Sequence, residues 1–403
     1  MSLDTSTIPA DVLDIRQKQR SNPLEWQGQF SPQLVEALLD AYASKGATVL
    51  DPFVGSGTVV LEAARRGLAG RGVEVNPAAY HLASFYRLIN LSPEDRTTAL
   101  SNLGETVRDL LPSAGPLFEG AEISATSRAS VLVEAWHAAR TAGSVPGLAE
   151  AYAALIVLTD IRNAEASADK MATAARHLEG LGRGLPKRLP AKRKVTVRRG
   201  DARQTGLRAR SVDVVLTSPP YVNVFNYHQK YRGSVEAMGW DVLEAARSEI
   251  GANRKHRGNR VLTVIQYCID MSDVLAELGR LLKDGGRAIL VVGRESMVRK
   301  TAFFNAEMIA EIAARSGEFR LCSRQDRVFQ NRFGQQIFED ILHLEPTPRT
   351  TTVEARHLEA RKIAEQALKA ALSDCPDEST ADIRSALDSL EKVQPSPRTM
   401  VDE

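Results

Sequence analysis

Hydrophobic positions change their period several times along the chain, and each change marks an element. Residues 31–45 carry Leu34, Leu38, Leu39 and Tyr42 at helical spacing, with Ser31 and Pro32 ahead of them as a helix start. The pattern then shortens. T-V-L-D (48–51) predicts a short strand running into the glycine-rich turn P-F-V-G-S-G-T (52–58). V-V-L-E-A-A-R-R follows as a helix stopped at Gly67, and G-R-G-V-E-V-N (70–76) as a second strand. A strand–helix–strand unit of this kind builds a parallel sheet.

Residues 78–182 differ: they are alanine-rich, with helical periodicity over Ala149–Leu158 and Met171–Leu181 and breaks at S-A-G-P and A-G-S-V-P-G. This predicts a helical insertion. Strands resume at K-V-T-V-R-R-G-D (194–201) and V-D-V-V-L-T (212–217). A helix over Met271–Leu282 is stopped by K-D-G-G, and R-A-I-L-V-V-G (287–293) is a buried strand. Residues 328–345 predict a hairpin turning near Asn331–Gly334. The tail repeats two apolar stripes: Ala360, Ile363, Ala364, Ala367, Leu368 and Leu372, then Ile383, Leu387 and Leu390. These stripes suit docking on the core or on a second subunit. The fold class is therefore α/β, with a mostly parallel sheet, a C-terminal antiparallel hairpin and a helical insertion.

Composition narrows the setting. With 403 residues, 43% of them hydrophobic and 25% charged, the chain can bury a large core. No apolar run approaches the ~20 residues of a membrane span, and the N-terminus lacks a signal pattern, so a cytoplasmic location is expected. Cys268, Cys322 and Cys375 lie far apart, which argues against a disulfide framework and against a metal site. A net charge of +2 leaves any polyanion site to local clusters. One cluster runs through Lys192, Arg193 and Lys194. Another follows residue 221, where Phe225, Tyr227 and Tyr231 interleave with Lys230 and Arg232 ahead of Arg254, Lys255 and Arg257. Aromatics among cations suit stacking plus phosphate contact. Both clusters are expected to flank one site and bind DNA, and His228 is expected on that DNA-facing surface.

Two segments carry chemistry. In the glycine turn, Gly55 and Gly57 let backbone approach a ligand. No Lys follows Gly57, so the turn is not a nucleotide-hydrolysing phosphate loop. Asp51 at the first strand end suits an amine, and Glu74 at the next suits the two hydroxyls of a ribose. S-adenosylmethionine carries both groups, and Asp201, after a later strand, suits its adenine amino group. The second segment, T-S-P-P-Y (217–221), ends an apolar strand. Its prolines cannot extend a ladder and leave rigid carbonyl acceptors beside an aromatic ring. That is a holder for a flat molecule with an NH₂ group.

D-P-F-V-G-S-G-T together with T-S-P-P-Y resembles the amino-methyltransferase family of DNA-modifying enzymes, in its cytosine-N4 type. The resemblance covers about 26–82, 194–221 and 271–345. It implies a Rossmann-like methyltransferase fold with a seven-stranded sheet. By this resemblance Asp51, Pro52, Phe53, Gly55, Gly57 and Thr58 form the cofactor loop, with Glu74 the ribose acid and Asp201 the adenine contact. Phe30 and Ser31 match the segment that touches the cofactor's methionine end. Ser218, Pro219, Pro220 and Tyr221 match the catalytic motif, where Ser218 and the Pro219 carbonyl hold the target amino group and Tyr221 stacks on the extruded base. Here the cofactor loop precedes the catalytic motif, the reverse of many such enzymes, which leaves the sequence-reading region open. The implied division is 1–82 and 191–346 for the methyltransferase domain, 83–190 for the insertion and 347–403 for the tail, with a DNA-contacting loop at 222–268. Implied partners are double-stranded DNA and a cognate restriction endonuclease or defence system. Adenine-N6 methylation, RNA base methylation and a non-catalytic nucleic-acid-binding role remain alternatives.

Overall fold

The computed structural model describes residues 8–111, 123–222, 227–251, 258–331 and 334–399. Among these residues the strands, in chain order, are β1 (Thr48–Asp51), β2 (Ala69–Glu74), β3 (Thr196–Arg199), β4 (Val212–Thr217), β5 (Leu282–Gly293), β6 (Glu295–Val298), β7 (Thr301–Phe304), β8 (Phe319–Gln330) and β9 (Gln336–Pro346). Seven form one sheet in the order β3-β2-β1-β4-β5-β9-β8, while β6 and β7 pair separately. β3 through β5 run parallel; β9 is antiparallel to β5, and β8 to β9. This is a doubly wound, Rossmann-like sheet. The chain winds one way through β1, β2 and β3, then returns to the other flank of β1 to form β4. The strand order therefore reverses between β1 and β4, where such sheets open a crevice at their carboxyl ends.

The central strands are apolar because helices cover both faces. Val214, Leu216, Ile289 and Val291 pack with Leu34, Leu38 and Val59 on one side. Val215, Leu290 and Val292 pack with Ile265, Ile269 and Leu275 on the other. The helix predicted over Met271–Leu282 spans Leu262–Leu281, starting nine residues earlier than its sequence pattern indicates. Its polar residues Thr263, Gln266, Asp270, Asp273 and Glu277 recur at helical spacing, but they are buried instead of facing solvent. The segment expected as a DNA-contacting loop, 222–268, therefore contributes its last turns to the core, and it also holds the helices Arg232–Ala237 and Val242–Ser248.

Helices Pro93–Leu110, Ala125–Ala142, Leu148–Thr159 and Ala168–Arg183 form the insertion. Leu148–Thr159 is its axis, buried from Ala151 through Val157. The insertion also grips the segment after Tyr221. Ser234 Oγ donates to the Ile156 carbonyl at 2.9 Å and accepts the Ile161 N–H at 2.8 Å. A side chain at Gly233 would strike the Ile161 carbonyl oxygen at 2.2 Å.

The tail helices, Val353–Ala371 and Asp377–Leu387, bury their apolar stripes in the chain's own core, with Ala360, Ile363, Ala364, Leu368 and Ile383 among Met271, Leu278 and Ile309. Of the two expected docking modes for these stripes, the structure shows the core. Leu368 is 0% exposed. Leu368→Ala should therefore cost about 2–5 kcal/mol in urea unfolding; a loss below about 1 kcal/mol would mean that the tail is not packed this way.

Candidate active site

β1 ends at Asp51 and β4 at Thr217, side by side at the point of reversal. Thr217 donates its hydroxyl to Asp51 Oδ1 at 2.6 Å, and the Phe53 N–H donates to the same oxygen at 3.1 Å. From there the chain turns into the helix Thr58–Arg65. Gly55 has φ +53° and Gly57 φ +96°. A Cβ on Gly57 would come 2.6 Å from the Tyr86 ring, so this position requires glycine twice over. The Gly55 N–H donates to Glu74 Oε2 and the Asn76 N–H to Glu74 Oε1, both at 2.9 Å. The Gly55 N–H at the turn is thus already taken by a carboxylate of the chain.

These groups line a cavity of about 1050 Å³, its open mouth included. Phe30, Asp51, Pro52, Phe53, Gly55, Thr58, Glu74, Asp201, Ser218, Pro220 and Tyr221, all expected from sequence, lie in its wall. Gly57 shapes the turn, Pro219 is buried, and Ser31 lines an adjoining second cavity, as Ser218 and Phe30 also do. Among the described residues the first cavity's wall holds four carboxylates (Asp51, Glu74, Asp201 and Glu249) and no Lys, Arg or His. Such a site favours a cationic ligand and repels phosphates. Burial pushes the Asp51 carboxyl up to about 7, despite the hydrogen bonds from Thr217 and Phe53. Burial also raises Glu74 to about 7, despite the bonds from Asn76 and Gly55, and the charges of Asp51 and Glu249 add to the rise.

At the second motif, the Tyr221 ring lies against the end of β5. A Cβ on Gly293 would come within 2.6 Å of it. The Tyr221 hydroxyl is 3.3 Å from Ser218 Oγ and donates to Glu339 Oε1 at 3.5 Å. Glu339 is itself paired with Arg327. Burial first, then the Glu339 charge, raises the Tyr221 hydroxyl far above the ordinary phenol range, so it keeps its proton.

The expected DNA contacts separate. Tyr227 lies in the cavity wall, its hydroxyl facing Gly28, rather than on an outer surface. Lys230 is paired with Glu25 and Arg232 with Glu236. Arg254, Lys255 and Arg257 lie outside the described residues, as does Phe225. Lys192, Arg193 and Lys194 precede the amino end of β3, whereas the cavity opens at carboxyl ends. Arg193 bonds the Gly67 carbonyl at 2.9 Å, just ahead of β2. Lys192–Lys194 therefore stand at the end of the sheet away from the cavity. His228, expected at the surface, is 2% exposed, with Nδ1 3.2 Å from Glu249 Oε2.

Sequence reasoning missed Trp26, which lies over Gly55 and stacks on Tyr231, and also Glu249, Arg203 and Glu339. Trp26 alone had a signal: it stands just upstream of the recognised G-Q-F-S segment.

Folded, both raised carboxyls keep a proton at pH values where the unfolded chain has released it. Their contribution to stability is complete below the unfolded values, 3.8 and 4.5, and is lost as pH rises through about 7. Glu74→Gln removes one such group. Its stability relative to the parent chain should climb between about pH 4.5 and 7 in urea titrations; a constant difference would show that Glu74 titrates normally.

Residues 4–85, which include the glycine turn and Glu74, match a family model described as DNA methylase. The chain is 38% identical over 79 residues to the type II methyltransferase M.BsoBI of Geobacillus stearothermophilus, across 19% of this chain and 16% of that relative. It is 36% identical over 52 residues to the type II methyltransferase M.MjaII of Methanocaldococcus jannaschii, across 13% of this chain and 10% of that relative. Solved structures similar to it include an S-adenosylmethionine-dependent methyltransferase from Methanosarcina mazei, with TM-score 0.35, 12% identity and coverage of 76% of this chain and 95% of that one. The rRNA methyltransferase AviRa of Streptomyces viridochromogenes gives TM-score 0.31 and 14% identity, covering 89% and 96%. The segment of this chain that builds the glycine turn is thus matched to the DNA methylases of the amino-methylating, N6/N4 type.

Proposed function

We propose that the chain is an S-adenosylmethionine-dependent DNA methyltransferase acting on the N4 amino group of cytosine in duplex DNA. The observation that carries this reading is one cavity in which Ser218 and Tyr221 meet Asp51, Gly55 and Glu74. The residues fit the cofactor. Its ammonium and sulfonium suit a wall that, among the described residues, holds carboxylates and no cations, which would disfavour a nucleoside triphosphate. Asp51 would take the ammonium, Glu74 the ribose hydroxyls and Asp201 the adenine amino group, with Phe30 and Phe53 as apolar walls. When bound, the cofactor supplies an electrophilic methyl group.

The chain's own task is to make a poor nucleophile attack. The amino nitrogen of cytosine shares its lone pair with the ring. Ser218 Oγ and the Pro219 carbonyl would accept its two N–H groups, gathering negative potential where positive charge develops. Ser218 can accept only if its own proton points elsewhere, and Glu339 would favour that. Ionised, this carboxylate can only accept, so Tyr221 donates to it, and the Tyr221 oxygen then takes the Ser218 proton. The polarity of the chain Ser218–Tyr221–Glu339 leaves the Ser218 lone pairs facing the substrate.

The base must leave the duplex to reach this point. The second cavity, which shares Ser218 and is lined by Arg16, Lys18 and Asn331, supports an approach of the strand from that side. Lys230 and Arg232 would contact phosphates only by exchanging their Glu25 and Glu236 partners. Ser218 in place of an acidic or amide residue at the motif's first position favours cytosine over adenine.

The test is mass spectrometry of nucleosides from duplex DNA incubated with the protein and S-adenosylmethionine, where N4-methylcytosine is expected. Ser218→Ala and Tyr221→Phe should keep cofactor binding and lower turnover about 10²-fold, the scale of one lost preorganised electrostatic contact. N6-methyladenine as product would overturn the base assignment, and full activity in Ser218→Ala would remove Ser218 from the mechanism. Binding of ATP without affinity for the sulfonium compound would end the reading.

A further inference from the structure

Behind the cavity wall lies a buried ionic cluster that the reaction does not use. Arg203 has a fully buried side chain, and all its donors are engaged. Nε bonds Asp201 Oδ1 at 2.9 Å and Nη2 bonds Asp201 Oδ2 at 2.6 Å. Nη1 reaches Asp270 Oδ1 and the Ser396 carbonyl, both at 2.9 Å. Nη2 also donates to the carbonyls of Pro397 at 2.8 Å and Ser248 at 3.2 Å. Asp270 in turn accepts the Ser396 N–H at 2.9 Å and the Ser396 hydroxyl at 2.6 Å. The Thr399 hydroxyl lies 2.6 Å from the Ser248 hydroxyl, and Arg398 bonds Asp273 at 2.9 Å. The extended segment Val393–Thr399 thus forms a strap that touches both Arg203, which holds Asp201, and Ser248, which begins the wall Ser248–Gly251.

The strap determines where the Asp201 carboxylate stands. Oδ1 is filled by two donors, the Arg203 N–H and Nε, while Oδ2 accepts Nη2 alone and keeps a lone pair. A guanidinium fork holds a carboxylate in one plane. The fork is held in turn by the two strap carbonyls and by Asp270, whose other oxygen is occupied by Ser396. Without the strap, Arg203 loses two acceptors and buried Asp270 loses two donors. The guanidinium is then drawn toward Asp270, and Asp201 is no longer fixed.

We propose that the C-terminal strap Val393–Thr399 is a working part of the cofactor site, positioning Asp201 through Arg203 so that it receives the 6-amino group of the bound adenine. This rests on the reading of the cavity as an S-adenosyl site. Arg203 and Ser396 are positioning residues, since neither lines the cavity.

The test compares S-adenosylhomocysteine with S-inosylhomocysteine, which carries an oxygen in place of the amino group, by calorimetric binding to the full chain. The parent chain should prefer the adenosyl compound about ten-fold or more, the effect of one hydrogen bond to a charged acceptor. Ser396→Asp sets a carboxylate against Asp270 and releases the strap, which trypsin cleavage after Arg398 reports. In that variant the preference should fall to within about two-fold. Ser396→Ala, which keeps the backbone bonds and is the safer fold, should lose part of it. The proposal is overturned if both affinities fall in parallel, if the preference survives strap release, or if the parent chain does not discriminate. A parent chain that binds neither compound would instead defeat the functional reading, so the two failures are distinguishable.

Discussion

The hydrogen bond from Thr217 to Asp51 joins the ends of two strands whose motifs are 166 residues apart in sequence. It exists because β4 returns to the flank of β1 instead of extending the sheet beyond β3. That return opens the crevice at the strand ends and sets the glycine turn beside the Pro-Pro segment. It also withdraws one Asp51 oxygen from solvent and from any ligand, leaving the other for the cavity. The prolines after Thr217 then end the strand without offering N–H groups that would compete for the same acceptors. Geometry and electrostatics at the site follow from one topological choice.

The second constraint is charge. Burying carboxylates without cations is costly, and the raised values of Asp51 and Glu74 express that cost. The fold answers with backbone donors: Phe53 for Asp51, and Gly55 and Asn76 for Glu74. Asp201 is treated differently, through the Arg203 fork. A ligand that brings positive charge relieves the remaining cost, whereas one that brings phosphates adds to it. The site therefore selects for ligand charge before any specific contact is made.

The strands and their motifs were legible because several signals agree there. β1 and β4 are mainly apolar runs closed by prolines, β2 follows the helix stop at Gly67, and each places an acid or a hydroxyl at its carboxyl end. The Leu262–Leu281 helix was legible only in its second half, because its polar stripe, from Thr263 and Gln266 through Asp270 to Glu277, is not a solvent face but is buried under partners remote in sequence, Arg203 and Ser396 among them. The position of Lys192–Lys194 was misjudged for a different reason. Nearness in sequence to a strand does not say which end of it a residue occupies, yet residues ahead of a parallel strand stand at the end away from the crevice. Strand direction, applied to β3, puts Lys192–Lys194 at the end away from the cavity. Arg203 pairs with nearby Asp201, but the Asp270 and Ser396 contacts that hold its fork are remote in sequence, as Tyr221 is for Glu339, so neither residue's role had a local sign.

The two regions that the motifs leave unexplained converge on one element. The insertion holds the segment after Tyr221 through Ser234, Ile156 and Ile161. The tail holds the same stretch further along, through Thr399 and Ser248. Directly after the second anchor lie Glu249, Ile250 and Gly251 of the cavity wall, and Gly251 packs so closely that a Cβ there would come 3.1 Å from the Tyr267 ring. The N-terminal arm adds a third hold, with Lys230 paired to Glu25 and Tyr231 stacked on Trp26. Like Trp26–Phe30 of the arm, the segment that follows Tyr221 is a cavity wall not built on a strand end of the main sheet, so it has no ladder to fix it. Insertion, tail and arm supply that fixation from three directions, and their size is in keeping with the task of making a wall of short helices as rigid as a sheet.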